Sequence, residues 1–299
     1  MKKSIVFAGL AGLAAASSAL AQLSIVPSAV PFTDISATGT SIGSITDDSE
    51  LIVTGAALTA AGFNGNGLLA GGVSIRVGTN GAVIWGNSPT DTFTNATEIG
   101  WANPNAGNAG HTSLLSLTPD NGTIRGNGGL GPRQLICPLW DDNTPGTGGN
   151  IRWQGIGGDL YIQWTNMDHF SASGTGTVTY QMIVRGGVPI GGGSLIDFVY
   201  QDTLYDPQRY QNDGGSASIG FVNWGVNPLA NDVEYGISGG NGATTADPIW
   251  GDPTMQPKVA GWAAAENSAL PHSLSIIPAP GAAALLGLSG LVACRRRRS

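Results

Sequence analysis

Asn150 to Phe170 reads NIRWQGIGGDLYIQWTNMDHF, and its alternation decides the fold. Ile151 and Trp153 fall on one side of a run of period two, and Leu160, Ile162 and Trp164 on one side of the next. Strand side chains alternate between faces, so each run is a half-buried β-strand, and Gly157-Gly158-Asp159 is the break between them. Working outward, Val178, Tyr180, Met182 and Val184 share a third face after the break Ser173-Gly174-Thr175-Gly176, and Leu195 to Tyr200 and Ser216 to Trp224 read as two more strands. Upstream, Val73, Ile75 and Val77 oppose Ser74 and Arg76, and Gly78-Thr79-Asn80-Gly81 turns the chain into Ala82-Val83-Ile84-Trp85, a hairpin signal. From Val226 to Trp262, Pro228, Pro248, Pro253 and Pro257 predict irregular loops, followed by a last strand from Ser273 to Ile277.

Between the chain ends no amphipathic helix is apparent, and a parallel sheet would need crossover helices. The expectation is therefore all-β: an antiparallel β-sandwich with meander or Greek-key connections, forming one domain over residues 22–277. An N-terminal signal helix and a C-terminal hydrophobic helix are expected to flank it. No repeat period of the solenoid kind is visible. Trp85, Trp140, Trp153 and Trp164 stand in apolar or alternating contexts and are expected in the core.

Both ends of the chain differ from its middle. MKKSIVFAGLAGLAAASSALAQ has a basic start, an apolar run and Ala19-Leu20-Ala21 before Gln22, the pattern of a secretory signal peptide over residues 1–21 cleaved between Ala21 and Gln22. Lys2, Lys3 and Arg295 to Arg298 are six of the 13 basic residues, and neither end carries an acid, so the middle holds 7 basic against 20 acidic groups, net −13. Such a body repels phosphate backbones and anionic lipid, which excludes nucleic acid as a partner. Only Cys137 lies in the body, with Cys294 in the tail, so stability is expected from packing rather than a disulfide framework.

Several short patterns resemble chemistry out of context. Gly39-Thr40-Ser41-Ile42-Gly43 matches the nucleophile elbow of serine hydrolases, but the elbow needs a strand before and a helix after it, and the flanks supply a strand end and a turn. Gly126-Asn127-Gly128-Gly129-Leu130-Gly131 and Gly65-Asn66-Gly67-Leu68-Leu69-Ala70 match strict and loose dinucleotide fingerprints without the strand-helix frame that places a pyrophosphate at a helix N-terminus. Asp141, Asp142 and Asn143 offer oxygen ligands that would suit a weak calcium site at Asp141 and Asp142, as do Asp47, Asp48 and Glu50. Neither cluster has EF-hand spacing, and turn capping is the favoured reading of both. His111, His169 and His272 are isolated from one another, with no zinc spacing; His169 is expected in a structural turn contact, and Cys137 as a buried thiol. No catalytic set can be assembled, no cofactor is implied beyond that calcium option, and a non-enzymatic protein is expected.

Two resemblances follow. Trp140-Asp141-Asp142, Trp164-Thr165-Asn166 and Tyr180-Gln181, within roughly Leu135 to Trp224, resemble the nidogen-like extracellular domain and its bacterial surface relatives. That likeness implies a sandwich of jelly-roll or nidogen-like kind and a role in adhesion or matrix association. PAPGAAALLGLSGLVACRRRRS, residues 278–299, places two prolines before a short apolar run and four arginines. As a helix, the 14 residues from Gly281 to Cys294 would reach about 21 Å against a hydrocarbon core of about 30 Å, too short to span comfortably. This order resembles the PEP-CTERM sorting signal. Carried over, Pro278, Ala279 and Pro280 are the motif, with Ala279 where the family has glutamate, and Arg295, Arg296, Arg297 and Arg298 are the cytoplasmic stop.

The resemblance implies signal peptidase and an exosortase-type processing enzyme as partners, transient membrane association through the tail, and a destination at the cell surface or in extracellular polysaccharide. The expected function is that of an exported bacterial surface or matrix protein. A secreted carbohydrate-binding protein is the second reading, with Trp101, Trp250 and Trp262 as its stacking platform.

Overall fold

The alternating runs pair in antiparallel register. The computed structural model describes residues 23–47, 49–66, 68–87, 133–140, 143–169, 176–187, 193–203, 218–224, 233–238 and 272–278. In chain order the elements are β1 (Leu23–Ser28), β2 (Thr40–Ser41), β3 (Glu50–Val53), α1 (Gly55–Ala60), β4 (Ser74–Gly78), β5 (Val83–Asn87), β6 (Arg133–Trp140), β7 (Asn143–Ile156), β8 (Asp159–His169), β9 (Val178–Val184), β10 (Ile196–Asp202), β11 (Ser218–Trp224), β12 (Val233–Ser238) and β13 (His272–Pro278). They form a seven-stranded sheet, β1-β13-β10-β9-β8-β7-β2, and a six-stranded sheet, β12-β11-β6-β5-β4-β3.

Two meanders build these sheets, β3 to β6 in one and β7 to β10 in the other; β11 then returns beside β6 and β13 beside β10. Turn chemistry fixes the registers. Ile156 faces Asp159 across β7 and β8, leaving Gly157 (φ 63°) and Gly158 (φ 94°) as a two-residue turn with both central residues in the left-handed region. That is the geometry matching the right-handed twist of the flanking strands, and glycine adopts it without steric cost.

The all-β expectation holds, and the inward faces of both sheets share one hydrophobic cluster. Ile75, Val83 and Trp85 from the six-stranded sheet lie in it with Ile162, Trp164 and Phe198 from the seven-stranded sheet. Trp164 stacks on its register partner Tyr180, with ring centroids 5.1 Å apart. Buried polar tips cross between the sheets: Trp164 Nε1 donates to the Gly78 carbonyl at 2.9 Å, and the Tyr200 hydroxyl to the Pro138 carbonyl at 2.5 Å. Burial, and then the neighbouring Cys137, push the Tyr200 phenol well above its ordinary value, which keeps it a donor. Asn143, fully buried where the chain passes from β6 to β7, donates to the Leu139 carbonyl at 3.1 Å. The four tryptophans expected in the core are there.

Two local readings change. Val233–Ser238, inside the stretch expected as irregular loops, pairs with β11 as β12, because Pro228 and Pro248 flank these six residues rather than interrupt them. The short helix α1 falls between the chain ends, where the sequence shows no amphipathic helix; it is too brief for an apolar period to show and is set by its N-cap, Thr54, whose side chain accepts from the Ala57 amide. The expected last strand exists but is interior, between β1 and β10. The edge position of β1 accommodates Pro27, which has no amide to donate. The expected terminal helices fall outside the described residues, and no helix among those described is long and apolar enough to cross a membrane.

Candidate functional site: the outer face of the seven-stranded sheet

β1 lies at one edge of this sheet and β2 at the other, so residues 29–39 must cross six inter-strand steps. At about 4.8 Å each that is about 29 Å, close to the roughly 36 Å that eleven extended residues can reach. The crossing segment is a strap over the outer face, turned at its far end where the Gly39 amide donates to the Ile35 carbonyl at 2.8 Å, and β13, β9, β8 and β7 each hold it by a hydrogen bond. Ser273 of β13 accepts from the Val30 amide at 2.9 Å. Gln181 of β9 donates to the Thr33 carbonyl at 2.7 Å, and Gln163 of β8 accepts from the Ile35 amide at 2.9 Å. Arg152 of β7 donates to the Gly39 carbonyl at 2.7 Å.

Gln163 and Gln181 are register partners, 1% and 0% exposed, and Gln181 Nε2 also donates to Gln163 Oε1 at 3.2 Å. A primary amide carries both donor and acceptor, so it can take the place of a strand in satisfying strap backbone. Under the strap, Ile35 packs with Tyr161, Ile183 and Val199 in a second, smaller apolar cluster.

The strap divides the face. On one side lies an ion cluster: buried Asp197 accepts from Arg185 Nε at 2.5 Å and from Ser194 at 3.1 Å, and the Ser275 hydroxyl also reaches it. Arg185 also meets Asp159 at 2.8 Å. Burial works against the Arg185 charge, but its hydrogen bond to Asp159 and the Asp197 charge outweigh it and leave its pKa raised.

On the other side is an open cleft of about 350 Å³. Its floor is Gln163, Thr165 and Thr179; Asn166 and Thr177 close one flank, Gln201 and Asp202 another, and the strap supplies Asp34 and Ser36. All are polar, and none is basic. Two irregularities aim side chains here. The β8–β9 register shifts between Trp164 and Met167, putting Asn166 at φ 51°, and the β10–β9 register shifts between Tyr200 and Asp202. Bulges beside a site commonly re-aim side chains in this way. Asn166 is held there by its amide, which donates to Thr179 Oγ1 at 3.1 Å. Asp34 accepts from Gln163 Nε2 at 3.0 Å and from the Ser36 amide at 2.8 Å. The Gln163 bond, with both Ser36 contacts behind it, holds the Asp34 carboxyl below the usual range against a small opposing effect of burial.

The residues singled out in the sequence lie elsewhere. Ser41 ends the two-residue β2, exposed, its hydroxyl accepting from the Gly43 amide at 3.3 Å, with no helix after it. Gly65 bridges Ala70 and Asn66 bridges Gly187, which makes the loose glycine motif a structural knot. Glu50 pairs with Arg76 at 2.6 Å, Asp47 lies in the turn before β3, and Asp48 falls outside the described residues. His169 is buried at the end of β8 rather than in a turn, its amide donating to Asp168 at 2.8 Å. Cys137 is a buried free thiol, as expected.

Among the described residues no three His, Cys, Asp or Glu side chains converge as metal ligands. Pro278 closes β13 opposite Leu23. Ala21, Gln22, Ala279, Pro280, Arg295 to Arg298, Asp141, Asp142, Trp101, Trp250, Trp262 and the glycines of 126–131 lie outside the described residues. No protein-family model, curated protein or solved structure matches the chain.

Proposed function

We propose that this chain is an exported, non-enzymatic bacterial surface or matrix protein. Its body is a β-sandwich of jelly-roll or nidogen-like kind, sorted through a PEP-CTERM-like tail that binds the membrane only in transit. The observation that carries this reading is the agreement between fold and processing points. β1 begins at Leu23, just after the expected signal cleavage, and β13 ends at Pro278, the first residue of the tail motif. These two residues face each other across adjacent strands, so both points lie at the same end of the same sheet. Removal of leader and tail would leave every described strand intact.

Signal peptidase and an exosortase-type enzyme are the processing partners in this reading, and extracellular polysaccharide the setting. Because β13 is an interior strand, the body is complete only when the chain up to Pro278 has been translocated. The test is fractionation of the producing bacterium with proteolytic shaving of intact cells. The protein is expected in the medium, matrix or shaved-surface fraction; recovery only from the cytosol, resistant to shaving, would overturn the proposal.

A further inference from the structure

We infer that the polar cleft beside the strap binds a neutral carbohydrate segment through hydrogen bonds. The chemistry of the lining selects the ligand class. Asp34 and Asp202 supply carboxylate acceptors, Asn166 and Gln201 amides that both donate and accept, and Thr165 and Thr177 hydroxyls. Such an alternating set matches a polyol, whose hydroxyls each donate and accept. With two carboxylates and no basic group among the described lining residues, the cleft disfavours uronates, sulfates and phosphates. With no apolar side chain among the described residues of its lining, it offers a peptide no anchor there.

Its volume, about 350 Å³, lies within the range of small-molecule sites and far exceeds an ion cage. Asp34 is preoriented by the Gln163 and Ser36 donors, and the floor on β8 and β9 and the Gln201–Asp202 flank on β10 belong to three neighbouring strands, so the geometry is set before any ligand arrives. With no aromatic side chain among its described lining residues, the cleft binds weakly and gains avidity from many copies along a polymer. The source, an extracellular polysaccharide, rests on the surface reading above; the cleft chemistry does not.

The experiment is calorimetric titration of the protein as purified from the producing cells with maltotriose, cellotriose, mannotriose and triacetylchitotriose. Trigalacturonate and calcium chloride are titrated separately. At least one neutral trisaccharide is expected to bind with Kd of ~0.1–5 mM. Trigalacturonate should bind at least about tenfold more weakly, a cost of about 1.4 kcal/mol. Asp202→Ala and Gln201→Ala, both at exposed positions, should each weaken binding several-fold with unchanged melting, and Thr38→Ala, outside the cleft, should not. Absence of neutral-sugar binding, binding indifferent to both cleft variants, or heat from calcium chloride alone would overturn the inference. None of these outcomes alters the shaving result, so the two readings fail separately.

Discussion

Replacing Gln163 by leucine should detach the strap. Gln163 makes four side-chain contacts: from the Ile35 amide (2.9 Å), to Asp34 (3.0 Å), to Thr165 (3.0 Å) and from Gln181 (3.2 Å). Leucine fills similar volume and removes them all. Asp34 and Thr165 border the open cleft, so water replaces those partners at little cost. The Ile35 amide is different, because Ile35 is 1% exposed and its donor would remain buried without an acceptor. That penalty is about 1–3 kcal/mol, and loss of the Gln181 bond adds about 1 kcal/mol. Part is recovered by the apolar replacement, leaving a net loss of about 2–3 kcal/mol, or a fall in Tm of roughly 4–12 °C for a domain of this size.

The assays are urea unfolding and amide exchange, in which protection at Ile35 should collapse while β8 and β9 stay protected. The same variant reports on Asp34. A carboxyl depressed in the folded state stabilises above its unfolded pKa, near 3.9, and that contribution is lost as pH falls through the folded value. Without Gln163, its largest cause, the NMR titration of Asp34 should move up toward the ordinary range. Stability within about 0.5 kcal/mol of the parent, with Ile35 protection unchanged, would refute the strap account.

Trp164→Ala should cost about 3–5 kcal/mol and erase much of the near-ultraviolet circular dichroism, since it empties a fully buried site and breaks the stack on Tyr180. Arg185→Ala should cost about 3 kcal/mol by leaving the buried Asp197 carboxylate without its cation, and Asp197→Asn in that background should recover part of the loss in urea unfolding. Two glycines of positive φ should separate cleanly. A Cβ at Gly81 would stand 2.1 Å from the Leu139 carbonyl oxygen, so Gly81→Ala should give no folded protein, whereas Gly157→Ala meets open space and should cost only about 1 kcal/mol.

Much of the scaffold was legible because inward-facing side chains obey a simple period. Trp153, Trp164 and Tyr180 announce their faces by alternation, and Gly157-Gly158 announces its turn. The strap was not legible, since Val30 to Gly39 carries no period of its own and is ordered by glutamines over a hundred positions away. Gln163 and Gln181 occupy outward strand positions where a polar residue ordinarily meets water; only the strap buries them. The cleft was hidden for the same reason: Thr165, Thr179 and Gln201 read as a solvated face until two bulges and a distant aspartate bring them together. Asn166, in the Trp-Thr-Asn motif, was the one local signal.

The central claim is a β body trimmed at both of its paired ends, and intact-mass spectrometry of the protein released by the producing cells tests it most directly. The account predicts a chain beginning at Gln22 and ending within a few residues of Pro278, without Arg295 to Arg298. A released, folded protein whose mass still includes those four arginines would contradict it.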